Sequence, residues 1–132
     1  MAKLRAGAVA RFAASFDRVV DAIRARGDYS NIYCKVFDTR PRLAVFVGEK
    51  YWFRAGTAAV ATIIVEEAAG GTIIRVVTGG SKQDIFDFMD WGATKKYAED
   101  LIRDIASYLG IPPQNTRTVK DMDCYKSSYL DL

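Results

Sequence analysis

Apolar positions along the chain follow two different periods, and the switches between them mark the elements. Val9, Phe12, Phe16, Val19, Val20 and Ile23 recur every three or four residues, with Arg11, Arg18, Asp21 and Arg24 largely on the other side. That spacing predicts one amphipathic helix. Gly27 is placed to end it, ahead of the turn-like run Asp28-Tyr29-Ser30-Asn31. Before it, Lys3 to Ala6 reads as a short opening strand closed by Gly7.

From Asn31 the pattern becomes that of strands. Residues 31–37, 43–53, 58–67 and 72–78 are rich in Val, Ile, Thr and aromatic residues. They are bounded by Asp38-Thr39-Arg40-Pro41, Arg54-Ala55-Gly56, Gly70-Gly71 and Gly79-Gly80. Loops this short join antiparallel neighbours, because a parallel connection has to cross the sheet, so the four strands predict a meander. The helical period returns from about Gly92 to Leu109, where Ala98, Leu101, Ile102, Ile105 and Leu109 form a stripe that Gly110 and Pro112-Pro113 stop. The stretch Gln114 to Leu132 is polar apart from Val119, Met122, Tyr125, Tyr129 and Leu130. The expectation is a single α+β domain over residues 1–110, a four- to five-stranded antiparallel sheet with two amphipathic helices packed on one face. A polar tail, 111–132, either docks on it or stays loose.

The order of one strand, a helix, four strands and a helix resembles small β-α-β4-α domains of the TATA-binding-protein-like or helix-grip kind, including uncharacterised prokaryotic families. The likeness covers residues 3–110 at the level of topology, with Gly79-Gly80-Ser81 followed by Asp90-Trp91-Gly92-Ala93 as its local feature. It implies a fold and carries over no active residue.

A sheet with helices on one face usually turns polar residues outward on the other. Here Ile32, Cys34 and Val36 alternate with Tyr33, Lys35 and Phe37, and Leu43 to Val47 is continuously apolar. Ile63, Val65, Ile73 and Val77 would face away from Ile64, Ile74 and Val76. Both faces therefore read as apolar. Two helices cover one, so the second calls for the tail, a ligand or another copy of the chain, and a homo-oligomer, a dimer first, is the expected state.

Composition narrows the classes. The chain has 132 residues, 50% of them hydrophobic and 27% charged, which suits one folded domain. The net charge of +3 hides a split: residues 1–54 hold 11 Lys/Arg against 5 Asp/Glu, and 55–132 hold 8 against 11. Opposite signs favour self-association, while the overall basicity is low for a nucleic-acid binder. No apolar run reaches the roughly 20 residues of a membrane span, and Met1 to Gly7 lacks a signal peptide's apolar stretch. A cytoplasmic location with no membrane partner is expected. Cys34 and Cys124 are expected as free thiols, with a single bridge between them left open.

The absence of histidine removes Ser/His/Asp and Cys/His chemistry and most zinc sites. Three weaker patterns remain. Gly79, Gly80, Ser81 and Lys82 lie between a strand and a candidate helical turn, where free N–H groups, a hydroxyl and a cation would suit an anion; turn formation explains the glycines as well. Asp84, Asp87 and Asp90 would align on a helix to offer oxygen to a hard divalent cation, or form a solvated acidic edge. Tyr33, Lys35, Phe37, Trp52 and Arg75 would make an aromatic and basic sheet surface able to stack bases, or else pack against a partner. No catalytic residues and no cofactor are indicated. The leading reading is a non-catalytic homo-oligomeric binding or assembly domain, with room for a small apolar or anionic ligand. A nucleic-acid-binding domain using the sheet ranks second. An enzyme resting on Asp, Glu, Lys, Tyr or Cys ranks third.

Overall fold

A computed structural model of the chain describes residues 5–26, 30–52, 57–81 and 91–132. In chain order the elements are β1 (Arg5–Phe12), α1 (Phe16–Arg24), β2 (Ser30–Phe37), β3 (Leu43–Trp52), β4 (Thr57–Ala68), β5 (Gly71–Ser81), α2 (Trp91–Leu109), β6 (Gln114–Lys120) and a terminal 3₁₀ helix, Cys124–Leu130. The strands form one open sheet in the order β2-β3-β4-β5-β1-β6, every neighbouring pair antiparallel. The class is α+β as the periods predict, but with six strands in place of four to five and three helices in place of two.

The largest correction is at the N-terminus. Val9 and Phe12 belong to β1, not to a helix, and Gly7 sits inside that strand. β1 is paired on both edges, by β5 and β6, and covered on both faces, by α2 on one and the C-terminal segment on the other, so Ala6 through Ala10 are all buried. A strand covered on both sides shows no alternation. Its apolar residues then fell by coincidence into step with those of α1. The true helix start is a capped one: Ser15 accepts from the Arg18 amide at 3.3 Å, and Asp17 lies in the positive first turn. The Thr72 hydroxyl donates to the Ala14 carbonyl at 2.8 Å and ties this strand-to-helix corner to β5.

One face of the sheet carries the main core. Ala8, Ala10 and Phe12 of β1, Ala44 and Phe46 of β3, Ala59, Ala61, Ile63 and Val65 of β4, and Ile74 and Val76 of β5 pack against Phe16, Val19, Val20 and Ile23 of α1 and Tyr97, Leu101 and Ile105 of α2. The alanines of β1 leave room for α2, which crosses β1 and β5. Arg18 donates to the Leu109 carbonyl at 3.2 Å, and Arg26 meets Asp104 at 2.9 Å, so both ends of α1 are fastened to α2. α2 ends at Gly110, whose φ of 73° is open to glycine and whose N–H reaches the Ala106 carbonyl at 2.9 Å.

The β4–β5 hairpin turns where Gly70-Gly71 predicts. Gly70 has φ 70°, and a Cβ on Gly71 would lie 2.5 Å from the Phe12 carbonyl oxygen. The Arg11 guanidinium donates to the Ala69 carbonyl in the same turn. Among the described residues no helix is long and apolar enough to cross a membrane.

Candidate interaction surface

Strand register fixes which side chains share the face away from α1 and α2. One row across it runs Lys35, Val45, Ile64, Arg75, Val9, Arg117; the next runs Tyr33, Val47, Thr62, Val77, Gly7, Val119. Along β3, β4 and β5 buried residues on the helix side alternate with half-buried ones on this side. The face divides into two halves with different covers.

Over β5, β1 and β6 the chain covers itself. Met122 and Leu130 of the C-terminal segment form a cluster with Val9 and Val119, against which Ile73 and Val77 pack. Two arginines fasten the end of the 3₁₀ helix through its free carbonyls. Arg75 donates from Nε to the Leu130 carbonyl at 2.9 Å, and Arg117 donates from Nη1 to the carbonyls of Tyr129 at 2.7 Å and Asp131 at 3.1 Å. Arg75 also pairs with Glu66 at 2.7 Å and Asp131 at 3.7 Å. At the other end the Asp123 side chain caps the helix by accepting from the Tyr125 amide at 3.0 Å. Gly7 provides the space: a Cβ there would lie 3.0 Å from Leu130 Cδ1 and 3.1 Å from Met122 Sδ.

Over β2, β3 and β4 the face is bare among the described residues. The C-terminal cluster takes no residue from these strands. Leu43, Val45, Val47 and Ile64 are half-buried, and Tyr33, Phe37 and Val60 are 49%, 39% and 43% exposed. The charges on this half are Lys35, whose Nζ lies 5.8 Å from the Phe37 ring centre, Glu49, and Glu66, which is paired with Arg75. β2 itself is a sheet edge, exposed at every residue, with a bulge between Asn31 and Tyr33.

The residues singled out from the sequence are distributed unevenly. Tyr33, Lys35, Phe37 and Arg75 do share this face, but Arg75 is committed to Glu66 and the C-terminal segment. Trp52 ends β3 opposite Thr57, in register with the even-numbered positions of that strand and not with Val45 and Val47. Gly79, Gly80 and Ser81 extend β5, opposite Val60, Ala59 and Ala58, so they stand in a ladder and not in a loop. Lys82, Asp84, Asp87 and Asp90 lie outside the described residues. Among the described residues no three acidic or cysteine side chains converge as metal ligands. Cys34 and Cys124 are both free and exposed, so the bridge left open is not formed.

Two features carried no sequence signal. A depression of about 650 Å³ is lined by Arg117, Lys120, Lys126, Ser128 and Tyr129. Its Lys126 is turned to the carbonyls of Lys120 and Asp121, and its Arg117 to the 3₁₀ helix, so these two cations are spent on the chain itself. On the helix side Arg42 makes a fork to Glu67 (3.0 and 3.2 Å to Oε2), reaches Asp17 at 3.1 Å and lies 4.6 Å over the Phe16 ring. The guanidinium holds the Glu67 carboxyl below the ordinary glutamate value, and the carboxylates raise Arg42 above its own. This network locks the start of α1 to β3 and β4. Comparison with protein-family models and with curated protein sequences finds no match for the chain.

Proposed function

We propose that the chain is a homo-oligomeric assembly domain that docks on a second copy of itself through the bare half of its sheet. The observation that carries this is the division of one face: the chain's own C-terminus covers the β5-β1-β6 half, while the β2-β3-β4 half offers Tyr33, Phe37, Leu43, Val45, Val47, Val60 and Ile64 with no described element over it. A contiguous apolar area of this kind marks an interface. A second copy suits it by charge. A two-fold interface sets a patch against itself in reverse, and here Lys35 and Glu49 stand two rows apart, about 13 Å along the strands, so each can meet the other's counterpart.

The nucleic-acid reading has less support, because of the cations it needs Arg75 is already paired and Lys35 stands alone. The likeness to TATA-binding-protein-like or helix-grip domains rests on the β-α-β4-α order through Leu109 and adds no site to this reading.

Light scattering during size-exclusion chromatography tests the proposal. A dimer at micromolar concentration that becomes a monomer in Val47→Lys, with the circular dichroism spectrum unchanged, supports it. A wild-type protein that is monomeric under these conditions overturns it.

A further inference from the structure

The bare face ends at β2, and the backbone edge of that strand raises a separate question. Among the described residues β2 has a ladder partner only on its β3 side, and the other edge spans eight exposed residues. Natural sheets blunt such edges because a free row of N–H and C=O groups is a template for another strand. Two blunting devices are present, the bulge between Asn31 and Tyr33 and the single charge Lys35. The bulge shortens the regular edge to Tyr33–Phe37. Within it, Val36 and Phe37 are exposed on opposite faces of the sheet, at 37% and 39%. A partner lying on one face covers only one of them. A strand added to the edge covers both.

The register decides which strand fits. Adding a second copy of β2 about a two-fold axis keeps each face with itself, so the axis must pass through a residue of β2. Centred on Tyr33 or Cys34, the new ladder runs into the bulge, and centred on Val36 or Phe37 it runs off the end of the strand and keeps three residues or fewer. Centred on Lys35, it uses all five regular residues but sets Lys35 directly against its own copy, and like charges directly opposite destabilise a pair. An acidic residue at that position turns the same contact into an attraction.

We infer that the β2 edge is a strand-addition site for an extended peptide segment of another protein, apolar on both faces around a central carboxylate that lies opposite Lys35. Aliphatic side chains of the added strand lie beside Tyr33 and Phe37 on one face and beside Cys34 and Val36 on the other. The ladder gives affinity, and the Lys35 pair gives register and selectivity. The inference goes beyond the face-to-face assembly and does not depend on it.

The test uses the full chain and two labelled peptides with blocked ends, Ser-Thr-Leu-Val-Glu-Val-Leu-Thr-Ser and the same peptide with a central Lys, followed by fluorescence anisotropy. The wild type is expected to bind the Glu peptide roughly fivefold or more tightly than the Lys peptide, the swing from an attractive to a repulsive cross-strand pair. Lys35→Glu, an exposed change that leaves the fold intact, is expected to reverse the order. Binding of neither peptide, equal binding of both, or a preference unmoved by Lys35→Glu overturns the inference. So does edge-to-edge pairing of two copies, read as a dimer that Val36→Pro abolishes and Val47→Lys leaves intact. Loss of the dimer in Val47→Lys with the peptide preference retained would leave both readings standing, and a monomer that keeps the preference would remove only the first.

Discussion

Gly7 and Leu130 meet across the sheet face that α1 and α2 leave free: a Cβ on Gly7 would stand 3.0 Å from Leu130 Cδ1 and 3.1 Å from Met122 Sδ. Gly7 lies in the middle of β1, where a glycine weakens a strand and calls for a reason. The close approach of the C-terminal segment is that reason. Gly7→Ala needs a shift of only a few tenths of an ångström from two flexible side chains, so its packing cost is offset by the gain in strand propensity. Gly7→Val adds two further carbons to a filled space and is expected to destabilise by about 1–3 kcal/mol. Urea unfolding of the two variants checks this, and equal midpoints for both would show that the segment yields freely.

The two arginines that hold the segment are expected to differ in weight. Arg75 is 21% exposed, and its removal strands the half-buried Glu66 as well as the Leu130 carbonyl. Arg75→Met is therefore expected to cost about 1–3 kcal/mol, the range for leaving a buried polar group without its partner. Arg117 bonds at the exposed surface, and Arg117→Ala is expected to cost about 1 kcal/mol or less. Both reach Asp131, so the double variant is expected to fall short of the sum of the single losses. Denaturant titration of the four proteins measures the difference, and strict additivity would argue that the two anchors act on independent pieces of chain.

Thr72 carries a similar weight at the opposite corner. Its hydroxyl is buried and donates to the Ala14 carbonyl at 2.8 Å, at the place where β1 gives way to α1. Thr72→Val preserves shape and leaves that carbonyl without its donor. A loss of about 1–3 kcal/mol is expected, read as a lower urea midpoint at unchanged slope. A neutral result would mean that water reaches Ala14.

That corner also shows why part of the fold was hidden in the sequence. β3, β4 and β5 were readable because each is a run rich in Val, Ile, Thr or aromatic residues set between clear turns. α2 was readable through its stripe from Ala98 to Leu109 and the glycine that ends it. β1 is covered on both sides, and its Val9 and Phe12 fall at helical spacing from Phe16 by accident. β6 was hidden for the opposite reason. It is an edge whose one buried residue is Val119, and polar side chains such as Arg117 work by reaching backbone carbonyls that leave no mark in a sequence. The apolar second face was legible in Leu43 to Val47. Which half of it the chain covers depended on the C-terminal segment and was not. The glycines at 79 and 80 have the composition of a turn, yet they continue β5 against β4.

The Arg42–Glu67 pair sets the last expectation, a pH dependence whose sign follows from the direction of the shift. Glu67 accepts the Arg42 backbone N–H at 3.2 Å as well as its guanidinium, and both bonds favour the ionised carboxyl. Its folded-state value is therefore below that of the unfolded chain. A carboxyl depressed on folding contributes stability that is fully present above its unfolded value, roughly pH 4.3, and is lost as the pH falls through its folded value. Arg42, shifted upward, stays charged throughout this window and adds no slope of its own. Glu67→Gln removes the titrating group while keeping its size and an acceptor oxygen for Arg42. The variant is expected to be less stable than the wild type near neutral pH, and the gap is expected to close as the pH is lowered below the unfolded value. Urea midpoints of both proteins between pH 7 and pH 3 give the comparison. A gap that stays constant over that range would show that Glu67 acts on α1 and the sheet through packing alone.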